Sequence, residues 1–283
     1  MIGDSLSTGF HVSSPAMMLL STRTCKENWV MDDRGTINSL FEQLTKKVPV
    51  ILHHLAYVSA DVRPPCRRNA ADWIASTFHM SHQIDRVLKL SQFPEILLLW
   101  IGHNNLDWVT LLGESDISGL SILADRISAC YETQLQRLLE AAAEQNHSVC
   151  VIVFALVNFE SFFRAREQAE RIKRAESSQY PYLEADYRYF RSMRPEFRGG
   201  MIGLAAGINS RLKDLVMKSQ EQAAPHQNVR IVFSTALYDV QIDKAEMLND
   251  IDAWHPSALG HRMLAAGAYP AVYRYIREQR GLD

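Results

Sequence analysis

Short runs of Val, Ile and Leu at residues 48–56, 96–101, 149–157 and 229–233 constrain this chain more than any other feature. None of them alternates strictly between apolar and polar side chains. Strands that read this way are buried on both faces, as when helices cover a parallel sheet on either side. The segments between the runs have helical spacing instead. Residues 36–46 lead into the first run, and residues 73–90 carry Trp73, Ile74, Phe78, Ile84, Val87 and Leu88. Residues 122–143 carry Leu123, Ile127, Cys130, Leu135 and Leu138, and residues 201–217 carry Ile202, Leu204, Ile208, Leu212 and Leu215. A last helical stretch, 257–280, contains Pro270, which should kink or break it because proline lacks an N–H and crowds the preceding turn. Strands alternating with helices predict an α/β fold, a three-layer αβα sandwich around a parallel sheet. Met1 and Ile2, ahead of Gly3, make a fifth strand candidate that is only a stub.

A chain of 283 residues has room for one large domain with a substantial core, or for two small ones. It shows no internal repeat and no low-complexity linker, so a single domain over residues 1–283 is expected. Residues 159–200 interrupt the rhythm, being dense in Arg, Glu and Tyr. They follow a predicted strand, on the side where ligands bind in open α/β sheets. Such an insertion suits either a solvated helical excursion with aromatic anchors or a cap that shapes a substrate pocket. A formal net charge of −2 gives no electrostatic case for a nucleic acid or an anionic membrane as partner. No uninterrupted apolar stretch is long enough to span a bilayer. Cys25, Cys66, Cys130 and Cys150 lack CxxC spacing and read as reduced, structural thiols. As it stands the chain shows no leader and reads as cytoplasmic. Strands ordinarily run to about five or six residues, however, so Met1 is expected to be an internal methionine of a longer protein. Any export signal would then lie upstream.

Two strings near the ends of the chain carry the chemistry: Gly3-Asp4-Ser5-Leu6 and Asp252-Ala253-Trp254-His255-Pro256. A serine hydroxyl becomes a useful nucleophile once an imidazole takes its proton, and a carboxylate fixes the tautomer of that imidazole. Ser5 directly follows the stub strand, where a strand-to-helix turn would expose its hydroxyl. Asp252 and His255 are spaced so that, in a turn, the carboxylate reaches Nδ1 and leaves Nε2 facing a nucleophile. Pro256 then sits at a helix start. His261, one turn further on, reads as structural. A third string, Trp100-Ile101-Gly102-His103-Asn104-Asn105, ends the most apolar strand candidate and would bring a side-chain amide beside Ser5. An Asn N–H there can bond the oxyanion of a tetrahedral intermediate, a contribution of about 3 kcal/mol to the barrier. Each string alone also suits an ordinary turn, since Ser, Asp, Gly and Asn are turn and cap residues.

Taken in order, Gly3-Asp4-Ser5-Leu6, Gly102-His103-Asn104 and Asp252-Ala253-Trp254-His255-Pro256 resemble the sequence blocks of the SGNH (GDSL-type) hydrolases, and they span nearly the whole chain. The resemblance implies a flavodoxin-like αβα sandwich with a five-stranded parallel sheet. It implies Ser5 as nucleophile, His255 as base and acid, and Asp252 as the carboxylate that orients His255. The implied oxyanion hole takes the N–H groups of Ser5 and Ser59 and the amide of Asn104. Asp4, Gly102 and Asn105 would support the loops. The family's second block usually reads Asn-x-Ala-x-x-Gly-Ala, whereas the matching stretch here is His54-Leu55-Ala56-Tyr57-Val58-Ser59-Ala60. Ser59 therefore occupies a glycine position, and it keeps a backbone donor if it can adopt the local φ and ψ. His54 replaces an amide that ties loops together, and Asn105 replaces the usual Asp of the third block.

The expected function is a serine esterase or acyl hydrolase that cleaves a carboxylic ester of a small molecule, a lipid or a glycan through an acyl-enzyme. It requires no cofactor. Acyl turnover should rise with pH as the imidazole loses its proton. Acyl transfer to a sugar or alcohol is an alternative on the same fold. A catalytically impaired binding protein is another, motivated by the short first strand and the altered blocks. No metal site is expected, because His53-His54 and His79-x-x-His82 lack the further ligands that zinc needs. Arg63, Arg67 and Arg68 around Pro64-Pro65 read as a solvated loop or as a rim contact for an anionic substrate group. The acidic stretch 239–252 lacks the EF-hand glycine pattern and is expected to position the last catalytic loop.

Overall fold

The computed structural model describes residues 2–4, 30, 37–47, 76–90, 93–112, 117–145, 147–176, 178–180, 183, 193–223 and 228–282. Among these residues four parallel strands form one sheet in the order β1 (Ile2–Gly3), β2 (Ile96–Trp100), β3 (Val149–Phe154) and β4 (Val229–Ser234). Three of the expected apolar runs are therefore strands. The fourth, at 48–56, lies outside the described residues. β3 is buried along its whole length, with Ile96 to Leu99 of β2 in register with Cys150 to Val153 on one side. On the other side Val149 to Phe154 match Val229 to Ser234. Both neighbours and both faces are covered, which is why Val-Cys-Val-Ile-Val-Phe reads as a continuous apolar run. Each large aliphatic residue fully buried here contributes about 1.5–3 kcal/mol.

β1 is a stub, with Ile2 opposite Leu99 and Gly3 opposite Trp100. A side chain completes its hydrogen bonding. The Gln83 amide accepts from the Gly3 N–H at 2.9 Å and donates to the Gly3 carbonyl at 2.8 Å. A buried peptide group needs such partners, and the Gln83 amide supplies one to each polar atom of Gly3.

Among the described residues the helices are α1 (Leu40–Thr45), α2 (Met80–Leu88), α3 (Val109–Leu112), α4 (Ile117–Glu144), α5 (Phe159–Ala175), α6 (Arg198–Ala223) and α7 (Ala258–Gln279). α4 packs against α2 and α6, and α6 against β4, whereas α7 packs against α1 and β3. This grouping is compatible with three layers. Local sequence sets the helix starts. Ser39 and Glu42 form a capping box at α1, and the Asn158 side chain accepts from the N–H groups of Glu160 and Ser161 at α5. At α7 the cap is Ser257, whose Oγ accepts the Gly260 N–H at 3.2 Å, so Pro256 precedes the helix cap and does not open the helix.

Several expectations change. α7 runs unbroken through Pro270. Both Pro270 and Ala266 are exposed, so the carbonyl that loses its helical partner faces water, while Leu264, Ala268 and Val272 pin the flanking turns in the core. Trp73 and Ile74 lie outside the described residues, and Phe78 sits in a 3₁₀ turn, Thr77–His79, ahead of α2. It is 43% exposed and stacks on Trp108 instead of joining the core. Within 159–200, α5 buries Phe159, Phe162 and Phe163, and α6 already begins at Arg198. Cys130 and Cys150 are free thiols, and burial pushes the Cys150 thiol up to about 11. Cys25 and Cys66 lie outside the described residues. No described helix is long and apolar enough to cross a membrane.

Candidate active site

Parallel strands deliver their C-terminal ends to one edge of the sheet, and that edge gathers the polar residues. Asp4 follows β1 and is fully buried. Its Oδ2 accepts from the N–H groups of Gly102 and His103, both at 3.3 Å, and lies 2.8 Å from His103 Nδ1. These bonds tie the end of β1 to the end of β2. Gly102 has a φ of +127°, a region that favours glycine, whereas a Cβ would meet only ordinary contacts from Leu156 and Thr77. Conformation, not space, is what demands glycine there.

The turn that follows is a 3₁₀ helix, His103–Trp108, in which His103, Asn104, Asn105 and Leu106 are all buried. The Asn105 N–H donates to the Gly102 carbonyl at 3.0 Å, and its Oδ1 accepts from the Thr77 N–H at 3.0 Å. From α4, the Tyr131 hydroxyl accepts from the Ile101 N–H at 3.2 Å and donates to the Ile101 carbonyl at 2.6 Å. Burial holds this hydroxyl protonated, well above the usual phenol range, so it stays a donor.

The second half of the site is the loop after β4. Asn249 Oδ1 accepts from the N–H groups of Ile251 and Asp252 at 3.0 Å, and the Asn249 N–H donates to the His255 carbonyl at 2.9 Å. These bonds close residues 249–255 into a compact turn. Inside it, Asp252 Oδ1 accepts from the N–H groups of Trp254 at 2.8 Å and His255 at 3.1 Å. Asp252 Oδ2 lies 2.7 Å from His255 Nδ1. A carboxylate only accepts, so a neutral imidazole bonded to it in this way places its proton on Nδ1 and its lone pair on Nε2, the arrangement a general base uses. Both side chains are buried.

Aromatic rings join the two halves. The His103 ring lies edge-on to Trp100 at 4.7 Å and 6.4 Å from Phe159, which stacks on Trp254 at 6.0 Å. Asp4, Gly102, Asn104 and Asn105 thus belong to one half and Asp252 and His255 to the other, with the rings of His103, Phe159 and Trp254 linking the two. Ser5 and Ser59 lie outside the described residues, as do His53, His54, Arg63, Arg67 and Arg68. His261 is fully buried, and burial, with a smaller push from His255, lowers its pKa to about 3. It is neutral and structural. His79 caps its own turn, Nδ1 accepting from the Ser76 N–H at 3.0 Å. Among the described residues no group of three His, Cys, Asp or Glu is placed to hold a metal ion.

Sequence reasoning gave no role to His103 or Asn249, and none to Arg166 of α5, which donates to the Ala253 carbonyl. For Arg166 a signal existed: residues 159, 162, 163, 166, 169 and 170 fall on one helical face, and all are buried. Compared with known proteins, the chain matches no family model, no curated protein and no solved structure.

Proposed function

We propose that this protein is a serine ester hydrolase of the SGNH type, with residues 48–56 supplying a fifth strand of a flavodoxin-like sheet. The observation that carries this reading is the buried Asp252–His255 pair, joined at 2.7 Å through Nδ1. It has the geometry of an oriented general base, and it shares an edge of the sheet with the Asp4–His103 junction. Ser5 directly follows Asp4 in the sequence, and Asp4 is anchored to this junction.

In the proposed reaction His255 Nε2 takes the Ser5 hydroxyl proton as Oγ attacks the ester carbonyl. The N–H groups of Ser5 and Ser59 and the amide of Asn104 hold the oxyanion. His255 then gives its proton to the leaving alcohol, and next activates water to release the acyl group. The reaction takes no cofactor from the enzyme, and its substrate class is a carboxylic ester of a small molecule, a lipid or a glycan. A fluorophosphonate probe should label the wild type on Ser5, and Ser5→Ala should abolish labelling. Labelling that persists in the variant moves the nucleophile elsewhere, and an unlabelled wild type favours a binding protein.

A further inference from the structure

We infer that Arg166 is a positioning residue that holds the Asp252–His255 turn in shape, so that α5 serves as the cradle of the dyad. The inference rests on the reading of that dyad as catalytic. Ala253 lies inside the turn with a φ of +53°, a region that L side chains enter only when the surroundings hold them there. Arg166 Nη1 donates to the carbonyl of this residue at 3.3 Å. The guanidinium has no exposed surface, and burying such a charge is unfavourable unless it is paired. Glu170, one helical turn on, lies 3.5 Å from Arg166 Nε. Glu170 is shared with Arg198 at the start of α6, which also reaches Glu167 at 3.4 Å. Arg166, Arg198, Glu167 and Glu170 thus form one cluster of ion pairs.

The same helix grips the approach to the turn. Gln168 Nε2 donates to the Asp243 carbonyl at 2.9 Å, and Gln168 Oε1 accepts from the Ala245 N–H at 3.2 Å. Phe159 and Phe162 flank the Trp254 ring at 6.0 and 4.9 Å. Arg166 occupies the apolar stripe of α5, where a leucine or methionine would pack with no charge to neutralise. An arginine at that position adds a hydrogen bond to the strained residue between the acid and the base.

The test is the ¹⁵N-histidine NMR spectrum, in which the His255 Nδ1–H bonded to Asp252 should appear far downfield, assigned by its loss in His255→Gln. Arg166→Met should broaden this resonance through exchange with water. It should also slow fluorophosphonate labelling about a hundredfold, the size of effect expected when a catalytic group is misplaced from a distance. Adding Ala253→Gly should restore both, because glycine adopts a φ near +53° unaided. Where Arg166→Met fails to fold, Arg166→Lys serves, since it keeps a charge beside Glu170 but loses the planar fork. An unchanged resonance in the folded variant, or no recovery on adding Ala253→Gly, overturns the inference. The NMR readout does not depend on catalysis. A wild type that is never labelled, with a resonance that still responds to Arg166, overturns the hydrolase reading alone.

Discussion

Among the described residues Asp252 meets the N–H groups of Trp254 and His255 and the His255 imidazole. The backbone pair, from Trp254 and His255, would survive Asp252→Asn through the amide oxygen, so the turn should keep its shape. The amide nitrogen would then face His255 Nδ1 and force the proton onto Nε2, the atom that takes a proton in the proposed reaction. Turnover of p-nitrophenyl acetate should fall by about four orders of magnitude while the melting temperature moves little. A variant that retains more than a tenth of the activity would show that Asp252 has no part in orienting the base. Asp4 makes a useful contrast, because its carboxylate also holds two backbone N–H groups and an imidazole. There the imidazole is turned to structural use, tying one strand end to the next.

Two positions of α7 illustrate how differently one helix meets its surroundings. A Cβ on Gly260 would lie 2.3 Å from the Met247 carbonyl oxygen and 2.9 Å from Pro256 Cβ. Since backbone cannot yield as a side chain does, Gly260→Ala should destabilise the protein by about 3 kcal/mol and disturb the loop that carries the dyad. Pro270 is exposed on the same helix, and Pro270→Ala restores an N–H for the Ala266 carbonyl. Set against the extra freedom it gives the unfolded chain, that change should stabilise by about 2 kcal/mol. Urea titrations of both variants check the signs, and a stabilised Gly260→Ala would contradict the close approach. The strands at 96, 149 and 229 were legible because burial on both faces leaves an unmistakable apolar run. The unbroken α7 was not, because the effect of a proline depends on whether the freed carbonyl meets water, which residue type does not encode. Asp252 and His255 were legible because their partnership is local. Arg166 was hidden among Arg164, Arg171 and Arg174, all of which are exposed on α5. Gln83 and His103 were hidden because their partners lie 80 and 99 residues away.

At the scale of the whole molecule, stability should depend on pH through His261. Burial sets its pKa at about 3 in the fold against 6.5 as the ordinary value. Below about pH 6.5 the unfolded chain binds a proton that the folded chain refuses, so the unfolded state gains. The loss of stability grows by about 1.4 kcal/mol per pH unit down to the folded pKa, and no loss from this group occurs above pH 6.5. His261→Gln should remove that share, so its urea midpoint should fall less steeply than that of the wild type between pH 6 and pH 4. Equal slopes would show that His261 is not the group responsible.

The Asp4 carboxylate meets Gly102 and His103 across 98 and 99 residues of chain, while β1 itself is only two residues long. The end of this strand is held by contacts across 80 to 99 residues, and contacts of such separation are expected to form late. A refolding chain should therefore pass through a compact, helical form that is chemically silent. Recovery of ellipticity would report the layers assembling, and recovery of the proposed turnover the closing of these distant contacts.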